Sequence, residues 1–214
     1  MFDIGQILSE LALVAIPLLM GITFHEVAHG YTAYRFGDPT AKNAGRLTLN
    51  PIKHLDPLGT IVLVVTRMIG WAKPVPINPA YFQDPQKGIF WVSLAGPAAN
   101  FALAVGFYVL FNVMLFLQSV FATGGAADLL EIATAICFYG IILNIILGIF
   151  NLFPIPPLDG GKIVATFLPG HMARQYMQLE KYGFLIIIGL IFLGVFQGIF
   201  GYVINIVYRL VLGG

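Results

Sequence analysis

Apolar residues run along this chain in long stretches rather than in the short alternations of a soluble domain. A helix that crosses the ~30 Å hydrocarbon core of a bilayer needs about 20 predominantly apolar residues. Four stretches are long enough: 7–34, 89–118, 131–153 and 182–210. A fifth, PLGTIVLVVTRMIGW at 57–71, is apolar for too short a run and contains Arg67. It is expected to re-enter the membrane, tilt, or lie at the interface. Proline and glycine break the pattern twice, in GWAKPVPINP (70–79) and NLFPIPPLDGG (151–161). Neither can be helical throughout, because proline lacks the donor and clashes with the preceding turn. Irregular backbone at membrane depth is tolerated only when it is buried in protein or lines a wet cavity.

Composition sharpens this picture. Hydrophobic residues make up 58% of the 214, charged residues only 10%, and the mean hydropathy is +0.88. A soluble domain carries about 25% charged residues, so no soluble surface can be built here and the chain is read as an integral membrane protein in a lipid bilayer. The net charge of +1 leaves no basic footprint for nucleic acid. Cys137 is the only cysteine, which excludes an internal disulfide and a cysteine-rich zinc ribbon. It reads as a small apolar helix residue. The opening MFDIGQILSE is acidic where a signal peptide would be basic, and no clear small-residue cleavage site follows before the first histidine. The first span is therefore expected to be retained.

Charge also orients the spans. Arg35, Lys42, Arg46, Lys53, Arg67, Lys73 and Lys87 lie between the first two, and Lys162, Arg174 and Lys181 between the last two. The 119–130 linker has only Asp128, and the N-terminus carries Asp3 and Glu10. The positive-inside rule places the N-terminus outside, 35–88 and 154–181 in the cytoplasm, and 119–130 and the C-terminus outside, with Arg209 the exception. GRLTLN (45–50) and KPVPIN (73–78) then read as extended segments at the cytoplasmic interface. The expected fold is an all-α polytopic membrane protein forming one domain over 1–214. It has about four transmembrane helices, one short re-entrant or interfacial segment, and a small extended or β element.

The costly feature is HEVAH at 25–29, inside the first span. His25 and His29 are four apart, so they share a helix face and can bind one metal ion. Glu26, beside the first histidine, has the place of a general base in an HExxH zinc site. Intramembrane ionisable groups are expensive and default to a functional reading. Zinc needs a third protein ligand and one open position. His54, His171 and several carboxylates are available, and depth favours Asp159. Counting from Ile7, His25 lies about 27 Å along its helix, near the cytoplasmic edge. Asp159 follows the third span as it reaches the same side, flanked by Gly160 and Gly161, which permit close approach. The competing reading of Asp159 is a helix cap. His54 and His171 sit in charged linkers and read as solvated or interfacial.

HEVAH within a membrane helix, followed by NLFPIPPLDGG about 130 residues later, resembles the site-two proteases, which are intramembrane zinc metallopeptidases. GWAKPVPINP and SLAGPAANF (93–101) resemble stretches of their compact prokaryotic branch. The resemblance implies one Zn2+ per chain, held by His25, His29 and Asp159, with Glu26 as the general base. It implies that Asn151 holds the substrate or the developing oxyanion, against the plainer reading of a helix-end hydrogen bond. Asn100 also matches a family position, although AGPAAN can equally serve tight helix packing. No PDZ-like insertion or nucleotide-binding domain of larger relatives is present. The implied activity is endoproteolysis in or near a transmembrane segment of another protein, as in regulated intramembrane proteolysis, in the plasma membrane of a prokaryote with the active site toward the cytoplasm. The alternative is a membrane protein that binds or transports zinc without hydrolysis.

Overall fold

The computed structural model describes residues 4–66, 71–121 and 125–213, with the side chains of 4–12, 63–66 and 212 excepted. All regular structure among them is helical. The chain order is α1 (Ile4–Arg35), α2 (Thr40–Asn43), α3 (Pro57–Thr66), α4 (Pro85–Val120), α5 (Gly125–Asn151), α6 (Asp159–Phe167), α7 (Gly170–Met177), α8 (Glu180–Phe192) and α9 (Val195–Leu212). Among the described residues, three helices are long and apolar enough to cross a membrane: Leu13–Arg35 of α1, then α4 and α5. They correspond to the first three expected spans.

The fourth expected span, 182–210, is not one straight rod. It breaks into α8 and α9, bent by 66°. Gly194 makes the break possible, since its φ of +76° lies in the left-handed region that glycine enters without a Cβ clash. Taken together, the pair counts as a fourth candidate span.

The fifth apolar segment also resolves in part. Pro57–Thr66 forms a ten-residue helix, about 15 Å long and so half the thickness of a bilayer core. The Asp56 carboxylate caps its start by accepting from Gly59 N (2.8 Å). Arg67 lies outside the described residues. The expected β element does not form a strand among the described residues. A single antiparallel bridge joins Leu55 and Ala72. The reason lies in the 73–78 stretch. Pro74 and Pro76 have no donor, and Val75 N and Asn78 N donate to the side chains of Glu26 and Asp38 rather than to a neighbouring strand.

The core is built on α4 and α5. Their partners run in opposite directions along the two helices: Gln118 with Thr134, Phe107 beside Gly140, Asn100 with Asn144, Phe101 beside Gly148. The two helices are therefore antiparallel. Phe107, Phe111, Cys137, Ile141 and Ile142 form the buried cluster between them, joined by Val207 from α9. Cys137 is thus a small core residue, as expected. A second cluster of Ala33, Phe82 and Val92 joins the end of α1 to the start of α4.

Below α1, Asp38 is fully buried and organises the next loop. Its Oδ1 accepts from Thr40 N (2.9 Å) and from the Thr40 hydroxyl, and its Oδ2 from Asn78 N (2.6 Å). Burial alone would push this carboxyl up, but the hydrogen bonds outweigh it and hold it below the usual carboxylate range.

A Cβ at Gly140 would stand 2.5–2.7 Å from ring atoms of Phe107. Gly140→Val should therefore destabilise the α4–α5 pair by about 1–3 kcal/mol. Thermal unfolding in detergent would show it; an unchanged midpoint would mean that this contact is loose.

Candidate metal centre

His25 and His29 project from one face of α1, as their spacing requires, and both are buried. Asp159 opens α6, and it too is buried. His25 Nε2 and His29 Nε2 lie 2.9 Å apart, and each is 3.1 Å from Asp159 Oδ2. The third candidate ligand favoured by depth is thus the one that meets the histidines. His54, expected to be solvated or interfacial, is fully buried within the protein, with Nε2 2.8 Å from Thr48 O. It packs inside the loop rather than reaching the centre, because Thr48 O gives its ring a partner there. His171 is exposed, as expected.

Hydrogen bonding fixes what the two imidazoles offer. His29 Nδ1 is 2.7 Å from the carbonyl of Val92, which can only accept, so Nδ1 carries the proton. His25 Nδ1 is 2.7 Å from Asn100 Oδ1. The Asn100 amide nitrogen already donates to Gly21 O and Asn144 Oδ1 (both 3.1 Å), which leaves Oδ1 to accept from His25. In its neutral form each ring therefore turns an unprotonated Nε2 toward the other. Asp159 Oδ2 faces the same point and has no hydrogen-bond donor of its own. Three buried lone pairs converging within about 3 Å repel one another unless a cation lies among them. Two imidazole nitrogens and one carboxylate oxygen form a donor set suited to a divalent metal, and three such ligands would leave one position of a four-coordinate ion open.

The surroundings shape this point closely. A Cβ at Gly96 would stand 2.5–2.6 Å from ring atoms of both histidines, so α4 can pass under them only at a residue without a side chain. Asn144 extends the support, donating to Gly140 O (2.9 Å) within α5 while accepting from Asn100. On the other side of Asp159, Lys162 Nζ donates to Oδ1 (3.2 Å), which leaves Oδ2 facing the histidines. Backbone packing sets the position of Asp159: a Cβ at Gly160 would strike Leu152 O, and one at Gly161 would stand 2.5 Å from Pro156 N. The two glycines thus serve close approach, as their place beside Asp159 suggests.

Glu26 is half-buried and accepts from Val75 N (2.7 Å) through Oε2. Asn151 is the last residue of α5, and its Nδ2 donates to Leu147 O (3.0 Å). That is an i−4 bond within α5 rather than one to the freed backbone near Pro154 that the plainer reading implies, and it uses one of the two amide hydrogens. Asn100 is fully buried and bonds to His25, while Gly96 of the same AGPAAN stretch serves the close packing. Gly96, Asn144, Val75 and Lys162 were not singled out by the motif reading. Asn144 had a visible signal, an amide alone within the apolar run IILNIIL.

Such a centre, built at the junction of apolar helices from two histidines four apart and a carboxylate far along the chain, is the architecture of a membrane metallohydrolase. The chain belongs to peptidase family M50, whose family model matches residues 13–196. This bears out the likeness to the site-two proteases. YwhC of Bacillus subtilis is 43% identical over 183 residues, 84% of this chain and 80% of that protein. Rip2 of Mycolicibacterium smegmatis is 35% identical over 184 residues, 84% of this chain and 66% of that protein. Both relatives carry zinc metalloprotease in their names. No solved structure matches the chain.

Asn100→Ala should leave the protein folded but lower its metal affinity about 10–100-fold, the usual effect of removing a partner that orients a ligand. Titration of purified protein with Co2+, followed by its visible absorption, measures this directly. Unchanged affinity would show that His25 holds its orientation unaided.

Proposed function

We propose that this chain is a zinc-dependent intramembrane endopeptidase that hydrolyses a peptide bond in or near a transmembrane segment of another membrane protein. The observation that carries the reading is the convergence of three buried candidate donor atoms beside helices suited to a bilayer. His25, His29 and Asp159 would hold one Zn2+, a choice that fits two imidazoles, one carboxylate and an open fourth position. Bound there, zinc supplies Lewis acidity, lowering the pKa of water and polarising a carbonyl.

The rest of the chemistry belongs to the chain. Glu26 accepts the proton of the attacking water and returns it to the leaving amine. The Val75 N–H keeps its carboxylate in one orientation for both transfers. Asn151, with its second amide hydrogen, donates to the developing oxyanion. Water is excluded elsewhere by the packing that buries both histidines.

The substrate's own helix shields its amides, so the bond must be unwound before attack. The 73–78 stretch is suited to receive it. Pro74 and Pro76 are exposed while Val75 is buried between them. The N–H groups of Lys73, Val75 and Asn78 are all engaged, by His54 O, Glu26 and Asp38. With these three backbone N–H groups occupied and Pro74 and Pro76 lacking one, an unwound segment would pair with the stretch chiefly by donating its own N–H groups to carbonyls. We read the chain as a single peptidase unit in the plasma membrane of a prokaryote, and the charge distribution supports an orientation with the N-terminus outside and the centre toward the cytoplasm. This arrangement fits regulated intramembrane proteolysis.

Elemental analysis of detergent-purified protein should find about one zinc per chain, with a large loss in Asp159→Ala. Glu26→Gln should retain the zinc and lose at least about a hundredfold in turnover. No zinc after zinc is supplied would overturn the metal centre, and full turnover in Glu26→Gln would leave a zinc binder rather than a hydrolase. Cysteines placed at 74 and 76 should form disulfide crosslinks to a cysteine-bearing transmembrane substrate analogue, while one at 75 should not. Crosslinks at none of the three would remove this stretch from the substrate path.

A further inference from the structure

Glu26 owes its orientation to a backbone N–H on a segment that is neither helix nor strand. Such a donor is useful only if the segment itself is held still. Residues 73–78 are anchored at both ends by buried side chains from the preceding loop. At the near end, Lys73 is gripped on both faces of its backbone. Its N–H donates to His54 O (2.9 Å), and its carbonyl accepts from Arg46 Nη2 (2.6 Å). At the far end, Asn78 N donates to the buried Asp38 (2.6 Å). Between the anchors, Pro74 and Pro76 fix their own φ angles and restrict the residues before them, Lys73 and Val75. The Val75 side chain is buried against α1 at Gly30, four residues after Glu26, where a Cβ would stand 2.9 Å from Val75 Cγ1.

Arg46 is the revealing member. Its guanidinium is buried, forms no salt bridge among the described residues, and leaves Nε without a partner. Burying an unpaired cation is costly. Its charge is spent instead on one short bond to a backbone carbonyl two residues before the Glu26 donor.

We propose that Arg46 and Asp38 are positioning residues for Glu26, acting through the backbone of 73–78. This rests on the reading of Glu26 as the base. The segment is a tether that Arg46 and Asp38 hold taut at either end, with Val75 N as its point of attachment to the carboxylate. Neither residue touches the lone-pair triangle, so their loss should misplace the base and leave metal binding intact.

The test compares wild type, Arg46→Ala, Arg46→Lys, Asp38→Ala and Glu26→Gln in detergent. Hydrogen–deuterium exchange by mass spectrometry reads the amides of 73–78, in zinc-loaded and metal-free protein. Zinc content and steady-state cleavage of β-casein, an unfolded chain that needs no unwinding, are read alongside. In Arg46→Ala and Asp38→Ala, exchange at 73–78 should quicken about tenfold or more while peptides of α4 and α5 stay unchanged. Zinc should remain at one per chain, kcat should fall about 10–100-fold, and KM should stay within about threefold, as expected when a reacting group is displaced by about an ångström. Arg46→Lys should recover most of kcat, since an ammonium can still donate to Lys73 O. Unchanged exchange, faster exchange with unchanged kcat, or loss of zinc in step with kcat would each overturn the proposal. So would unfolding of all three anchor variants, which would make these residues scaffold alone. Full activity in Glu26→Gln would instead sink the base assignment, a failure visible apart from the exchange result.

Discussion

Three lone pairs pointed at one another are an arrangement that no folded protein tolerates without a reason, and most of this molecule is organised around it. His25, His29 and Asp159 come from helices far apart in sequence and meet within about 3 Å. In a low-dielectric surrounding their mutual repulsion is large. A metal ion reverses the sign of that interaction, but only if each ring already presents the correct nitrogen. The carbonyl of Val92 and the amide of Asn100 fix that choice from α4, and Asn144 fixes Asn100 from α5. The three long helices therefore share one polar joint within an otherwise apolar contact.

The small residues follow from the same joint. Gly96 lets α4 pass beneath both imidazoles, Gly140 receives the Phe107 ring, and Gly21 lies against Asn144 Oδ1 and Leu147. Helices in a bilayer gain little from the hydrophobic effect between themselves, so close backbone approach and buried hydrogen bonds must supply the association. Here the positions that permit close approach are also those that bring the donor atoms together.

Much of this was legible in the chain. The long apolar runs announced the three long helices, and the i, i+4 histidines announced a shared face. The depth argument singled out Asp159 over His54 and His171. The break at Gly194 was harder to see, because one glycine in a glycine-rich apolar run does not declare a positive φ. The β element was overestimated, because alternation around prolines resembles an edge strand, while the actual partners of the backbone are the carboxylates of Glu26 and Asp38. The burial of His54 was not legible because a charged linker suggests solvent or interface, whereas its ring finds a partner in Thr48 O inside the fold. Asn100 could be assigned only when α4 was seen to cross α1 at His25.

The loop between α5 and α6 shows how far this joint reaches. Its carbonyls are held from the C-terminal side of the chain, where Tyr176 Oη donates to Pro154 O (2.8 Å) and Gly183 of α8 lies directly against Pro156 O. Gly160 and Gly161 fit against the same loop from within α6. The loop is thus packed between Gly183 of α8 and the two glycines that follow Asp159, with no Cβ on either side. The start of α8 works as a keystone: it stands outside the donor triangle, yet a sideways step of its axis would travel through Pro156 into Asp159 and unseat the carboxylate from the two imidazoles.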